Sequence, residues 1–200
     1  ATLSLDDPDP AQDDPRTNED LLLEAYRKGS DSVLLEKMWS FGRYLLISSS
    51  RREGLPCPLL GLWHGDYKPM WSFHMLNENL QMIYWGALSG NMPDLLLCVF
   101  DYFEKMMDDF RENARKLFGC RGIYIPAVTT PYVGTIQCIS RHILAWTAGA
   151  GWLAQHYFNY YLYTQDKKFL KERALPFMHE VADFYEDFFE IDENGFYESI

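Results

Sequence analysis

Two hundred residues are enough for one domain with a sizeable core. Apolar residues make up 48% of the chain and aromatic residues 16%, which excludes disorder over most of it. A net charge of −11, with Arg51-Arg52 read as its basic cluster, excludes a nucleic-acid binder and argues against an anionic-membrane partner.

Along the chain, residues 5–20 are dense in Asp, Pro, Glu and Asn and read as a lead-in strand or linker. We therefore set 1–30 apart from a folded region over 31–200. Segments 33–47 and 78–90 have the broad apolar faces of helices. In 93–118, Leu96, Phe100, Phe103, Met107, Phe110, Ala114 and Leu117 recur in steps of three and four opposite a charged side, the pattern of a one-faced amphipathic helix. Segment 139–163 is apolar on both sides, so a helix there must be covered all round. Its Gly149 and Gly151 weaken a helix unless something packs close to the backbone. Thr164-Gln165-Asp166 is a turn with Asp166 as N-cap. In 167–189 Pro176 marks a kink or a fresh start. Two long stretches, 48–76 and 119–138, lack periodicity but are rich in Trp, Tyr, Pro and Gly; they are expected to be ordered and to hold any site.

Helices exposed on one side thus alternate with helices covered on both. Two concentric rings of helical hairpins produce that alternation, so the expected fold is all-α, a partial (α/α)6 barrel. Roughly five long helices are present, whereas six hairpins need twelve helices and about 350 residues at ordinary lengths. The chain opens on Ala1 and closes on Ser199-Ile200 after a turn, so both ends are expected to be internal to a longer polypeptide.

The four cysteines lie far apart without a Cys-x-x-Cys pair and read as buried, reduced thiols. Nothing calls for a metal or a cofactor: Gly149-Ala-Gly151 sits mid-helix with no preceding strand, and His179-Glu180 lacks the second histidine of a zinc-protease helix. The longest apolar run, 143–154, is too short to span a bilayer. No leader pattern is seen, which favours the cytoplasm.

Two constellations remain. Asn77-Glu78-Asn79-Leu80-Gln81-Met82 places two carboxamides and a carboxylate where an irregular segment enters a helix, whose free N–H groups favour oxygen-rich ligands. The plain alternative is that Asn77 caps the helix. Trp63-His64-Gly65-Asp66-Tyr67 and Trp71 combine rings that can stack on sugar C–H faces with groups that can hold hydroxyls; alternatively the aromatics are lids on the core. Asp66 and Glu78 are candidates for acid, base or orienting roles, or are surface charges.

Several motifs in order resemble one family. Phe41-Gly-Arg-Tyr-Leu-Leu-Ile-Ser-Ser-Ser-Arg51, Gly54-Leu-Pro, Gly61-Leu-Trp63 and Asn77-x-Asn79-Leu-Gln-Met-x-Tyr-Trp85 look like the opening of the catalytic domain of glycoside hydrolase family 95, α-L-fucosidases and some α-L-galactosidases. Gly149-Ala-Gly-Trp-Leu-Ala-Gln-His156 through Thr164-Gln-Asp-Lys-Lys-Phe-Leu170 is similar to its next hairpin, and the resemblance covers roughly 33–190. It implies an (α/α)6 barrel and inverting hydrolysis of an oligosaccharide or glycoconjugate, with a water held by residues matching Asn77 and Asn79. Trp63, His64, Asp66, Trp71 and Glu78 are then expected to contact the sugar. The family's general-acid Glu, in a Ser-Pro-Glu-type motif, and its assisting Asp are expected beyond this chain, which alone should be inactive. The chain departs from the family pattern at His64-Gly65-Asp66, where Asn is usual after Gly-x-Trp, and at Tyr124-Ile-Pro-Ala-Val-Thr-Thr-Pro131, where a His-His-Asn-Thr-Asp-like stretch is usual. Those departures keep two other readings in play: a helical scaffold that binds carbohydrate or protein without catalysis, and another sugar-active (α/α)6 enzyme.

Overall fold

A computed structural model describes residues 3, 5 and 14–199. Residues 1, 2, 4, 6–13 and 200, which include much of the acidic lead-in and both chain ends, lie outside the described residues. The chain divides into two compact units at 48/49.

In the first unit, Thr17 opens α1 (Asn18–Lys28) with a reciprocal cap. Its hydroxyl accepts from Asp20 N at 3.1 Å, and the Asp20 carboxylate accepts from Thr17 N at 3.1 Å. This helix falls within the stretch set apart as a lead-in. Asp31 accepts from Leu34 N at 2.9 Å near the start of α2 (Ser32–Ser49), and Leu21, Val33 and Leu34 form a small core. Arg16 joins the elements by ion pairs to Asp14, Glu24 and Asp31.

The second unit is also mostly helical. After an irregular stretch, β1 (His74–Met75) leads into α3 (Asn79–Ser89). The segment read as one amphipathic helix over 93–118 is instead α4 (Asp94–Glu104), α5 (Met107–Asn113) and a wider π-helical turn, Ala114–Phe118, closed by Gly119 at φ +69°. The break lies at Lys105-Met106, where Met106 N bonds back three residues to Phe103 O at 3.0 Å and shifts the helical phase. Five consecutive residues of α4, from Leu96 to Phe100, are buried, so this helix is covered on more than one side.

Segment 139–163 breaks as well, into α6 (Arg141–Leu144) and α7 (Gly149–Thr164). Two tyrosines explain the gap. Tyr124 donates its hydroxyl to Leu144 O at 2.7 Å and Tyr185 donates to Thr147 O at 2.9 Å, taking carbonyls that a continuous helix would use internally. The close packing expected at the glycines is present: a Cβ on Gly149 would lie 3.0 Å from Ile125 O, and one on Gly151 would lie 2.8 Å from the Tyr185 hydroxyl. Coverage all round is not found. One side of α7 is buried through Leu153, His156, Tyr157 and Tyr160, while Phe158, Leu162 and Tyr163 are exposed.

Asp166 caps α8 (Lys167–Phe169) by accepting from Lys168 N and Phe169 N at 2.9 and 3.0 Å. A π-helical turn, Leu170–Ala174, then joins α9 (Leu175–Phe188), and Pro176 is the second residue of α9, directly after that wider turn. Aromatic rings lock these helices together: Phe100 of α4 lies 4.1 Å from Tyr157 of α7, and Tyr157 stacks on Phe177 of α9 at 4.3 Å. Arg173 covers the Phe100 and Phe169 rings and pairs with Asp101 and Glu104 at 2.6 and 2.9 Å.

Strands are few and short. β1 pairs antiparallel with β2 (Val128–Thr129) in the register His74↔Thr129, Met75↔Val128, and β3 (Phe189–Ile191) pairs with β4 (Tyr197–Ser199). The first ladder joins the two aperiodic stretches in which the sequence places a site. Residues 123–129 are all buried despite having almost no regular structure. Their backbone groups are paired one at a time: Ile123 N to Glu180 O at 3.1 Å, Tyr124 N to Phe110 O at 3.1 Å, and Ala127 O to Leu76 N at 2.7 Å. Cys57, Cys98 and Cys120 are buried free thiols, but Cys138 is only half-buried. No described helix is long and apolar enough to cross a membrane.

Candidate functional site

Leu76, fully buried, comes directly after β1 and anchors the entrance to α3. Its N–H donates to Ala127 O at 2.7 Å, and its carbonyl accepts from Gln81 Nε2, also at 2.7 Å. The two peptide groups that flank Leu76, the second of which enters Asn77, are therefore each held by a hydrogen bond. Asn77 and Asn79 are half-buried, whereas Glu78 between them is exposed and occupies the N-cap of α3 without a side-chain capping bond. Asn77 does not cap the helix: its Oδ1 is buried and has no hydrogen-bond partner among the described residues. The first N–H groups of α3 add partial positive charge at the same point.

Further polar atoms without partners surround this junction. Gln81 Oε1 is one, one helical turn after Asn77. Trp146 Nε1 is another, in the connector that precedes α7; a Cβ on Gly149 would lie 3.9 Å from that nitrogen and 3.8 Å from Leu76 Cβ. His156 Nε2, on the buried side of α7, is a third. Buried polar groups are ordinarily paired, so this concentration of unpaired atoms around one junction stands out.

Protonation states are set by burial. Desolvation pushes His156 down to about 4, opposed by a hydrogen bond to the backbone of Gln81. Nε2 has no partner among the described residues, and the ring is neutral at neutral pH. The ring is pinned edge-on against Trp85, with centroids 5.9 Å apart. His74 is likewise pushed down by burial; its Nε2 pairs with Pro56 O at 3.1 Å and its ring lies 4.7 Å from Tyr102. The buried His156 has a measurable consequence. Below about pH 6.5 the unfolded chain binds a proton that the folded chain accepts only near pH 4, so stability falls as pH drops through that window, by about 1.4 kcal/mol per unit. Urea unfolding at a series of pH values should show at least that slope, and His156→Gln should remove the His156 share while leaving the share of His74.

The other predicted residues sit in the loop 59–73, which runs straight into β1. Leu59 N bonds Phe73 O at 3.4 Å across its neck, and Gly61 N bonds Pro58 O at 2.8 Å in a turn. The Trp63 ring lies against Gly61, where a Cβ would come within 2.7 Å of it. Trp63 and Trp71 remain 50% and 55% exposed, so neither is sealed into the core as a lid. His64 and Asp66 are exposed as well. The candidates thus form two groups adjoining in the chain: Asn77, Glu78 and Asn79 on a rigid junction, and Trp63, His64, Asp66 and Trp71 on an exposed loop that precedes it. Gln81, Trp146 and His156 received no role from sequence reasoning. A Gln facing the core one turn after Asn77 was the available signal for the first; the other two are united with it by long-range packing. No group of three or more His, Cys, Asp or Glu side chains arranged to hold a metal occurs among the described residues.

Comparison with known proteins agrees with the order of motifs. The family description "Glycosyl hydrolase family 95 catalytic domain" matches residues 1–199. Alpha-L-fucosidase 2 of Arabidopsis thaliana is 33% identical over 176 residues, 87% of this chain and 21% of that protein. Probable alpha-fucosidase A of Aspergillus niger is 31% identical over 191 residues, 92% of this chain and 23% of that protein. Its Aspergillus oryzae namesake is 36% identical over 128 residues, 61% of this chain and 17% of that protein. The chain therefore spans about a fifth of the length of the curated relatives it matches. With one family description running across nearly the whole sequence, and with the Asn-x-Asn pair standing at a tightly held helix entrance, the chain belongs to the catalytic domain of glycosyl hydrolase family 95.

Proposed function

We propose that the full-length protein containing this chain is a glycoside hydrolase that cleaves α-L-fucosides, or a related α-L-sugar, with inversion, and that these residues form the first part of an (α/α)6 barrel. The observation that carries this reading is the buried, unpartnered Oδ1 of Asn77 at the start of α3, two residues from Asn79. A water that donates one hydrogen to the Asn77 amide oxygen, accepts from the Asn79 amide N–H and turns its other hydrogen toward a base keeps its second lone pair for the anomeric carbon. Amides are not bases, so an assisting carboxylate must take the water's proton while an acid protonates the leaving oxygen from the opposite side. Both carboxylates are expected outside this chain. Residues 1–200 alone should therefore hydrolyse no aryl α-L-fucoside, measured by aglycone release; turnover by this chain would place an acid and a base within it.

Trp63 and Trp71 offer ring faces for a sugar, with His64, Asp66 and Glu78 as polar contacts. The test is turnover of aryl α-L-fucoside and aryl α-L-galactoside by the full-length protein, with the first-formed anomer read by NMR. A β-anomer supports inversion, and an α-anomer overturns it. One observation favours the scaffold reading: Tyr124, Ile125, Ala127 and Val128, in the stretch that departs from the family pattern, are buried. Retention of a fucosylated oligosaccharide without hydrolysis would select that reading.

A further inference from the structure

We propose that Gln81 is a positioning residue for Asn77: its carboxamide sets the distance and angle between the two water-holding amides. This rests on the reading just given. Gln81 is fully buried, on a helix whose other buried residues are Leu80, Tyr84 and Ala87. A carboxamide in such surroundings is costly unless it is hydrogen-bonded. Only the donor half of this one is used within the described residues: Nε2 donates to Leu76 O at 2.7 Å, while Oε1 has no partner. The bond is directed at the residue immediately before Asn77, which lies outside α3, whereas Asn79 lies inside it. Gln81 thus ties the incoming chain to the helix across the boundary that separates the two amides. The preceding peptide, between Met75 and Leu76, is fixed by Ala127 O, and the His156 ring from α7 packs edge-on against Trp85, one turn further along α3. With the clamp removed, Asn77 can rotate about the Leu76 peptide while Asn79 stays in register.

The test uses the full-length protein with the aryl glycoside it turns over, reading kcat and KM separately. Gln81→Leu keeps approximate volume and deletes the donor; kcat should fall by roughly a hundredfold, the cost of a misplacement of about 1 Å, with KM changed by less than about twofold. Gln81→Glu provides the discriminating arm. A neutral carboxyl can donate to Leu76 O and an ionised one cannot, and burial raises a carboxyl's pKa into an accessible range. The ratio of its kcat to that of the parent should rise as pH is lowered from 7 to 5, while the ratio for Gln81→Leu stays flat. Titratable groups near the junction are His74 on β1, Glu78 at the N-cap, Tyr84 on α3 and His156 on α7; all are present in parent and variants, and the Gln81→Leu ratio controls for their own titration. Circular dichroism confirms folding of each variant, and if Gln81→Leu does not fold the pH arm decides alone. A kcat within threefold of the parent in the folded variants, or a pH-independent ratio for Gln81→Glu, overturns the proposal. Should Asn77→Ala abolish turnover while Gln81 variants retain it, this inference alone fails; should Asn77→Ala be fully active, the reading beneath it fails too.

Discussion

If the full-length protein cleaves α-L-fucosides as proposed, Asn79→Ala is expected to lower kcat by on the order of 10²–10³, about 3–4 kcal/mol of transition-state stabilisation, with Tm nearly unchanged. The size reflects what the amide is proposed to do. A water held by two amides is already in attack geometry, and removing one lets it sample orientations in which its lone pair misses the anomeric carbon. Stability is spared because Asn79 is half-buried in the first turn of α3, where backbone N–H groups have no intrahelical partners to lose. Paired kcat and Tm measurements separate the two effects. A folded Asn79→Ala protein with unimpaired kcat removes the water-holding role.

Gly122→Ala is expected to be the most damaging single methyl in the fold. Gly122 has φ +65°, and a Cβ there would lie 2.0 Å from Glu180 O and 2.6 Å from Phe184 N, both backbone atoms of α9. A flexible side chain could swing away; a helix backbone cannot. The left-handed conformation costs a non-glycine residue about 1–2 kcal/mol, and overpacking typically adds about 1–3 kcal/mol. The sum, about 2–5 kcal/mol, corresponds to a Tm lowered by roughly 5–15 °C for a chain of this size. The clash also strikes Glu180 O, which accepts the hydrogen bond from Ile123 N. Gly119 is the internal control: it has φ +69° with open space around its Cβ position, so Gly119→Ala should lose only the conformational contribution. Equal Tm losses for the two variants would mean that α9 does not press on Gly122.

Much of the fold is legible in the sequence wherever a local rule decides the structure. The Asp166 cap and the start of α3 immediately after Asn77-Glu78 depend on a few neighbouring residues, and the close approach at Gly149 and Gly151 is signalled by glycines set in an apolar helix. The departures share one cause. The breaks at 105–106 and 145–148 interrupt good apolar periodicity, in the second case because hydrogen bonds arrive from elsewhere, from the hydroxyls of Tyr124 and Tyr185. Burial of α4 and partial exposure of α7 depend on which elements happen to cover them, which periodicity does not encode. In the site, an Asn-x-Asn pair at the entrance to a helix is visible as a pattern, whereas Gln81, Trp146 and His156 become significant only through their unpaired atoms around it.

The buried stretch over residues 123–129 has a consequence for how the molecule is made. Its anchors include Leu76, Phe110 and Glu180, contributed by widely separated parts of the sequence. As the polypeptide emerges during synthesis, the helices bearing Phe103 and Phe110 can form early, yet the ladder beside Asn77 has no second strand until Val128 and Thr129 appear, and Ile123 waits longer still for Glu180. The entrance to α3 therefore gains its cross-strand support only after Thr129 is made, and a translation pause before Glu180 would leave Ile123 N without its acceptor.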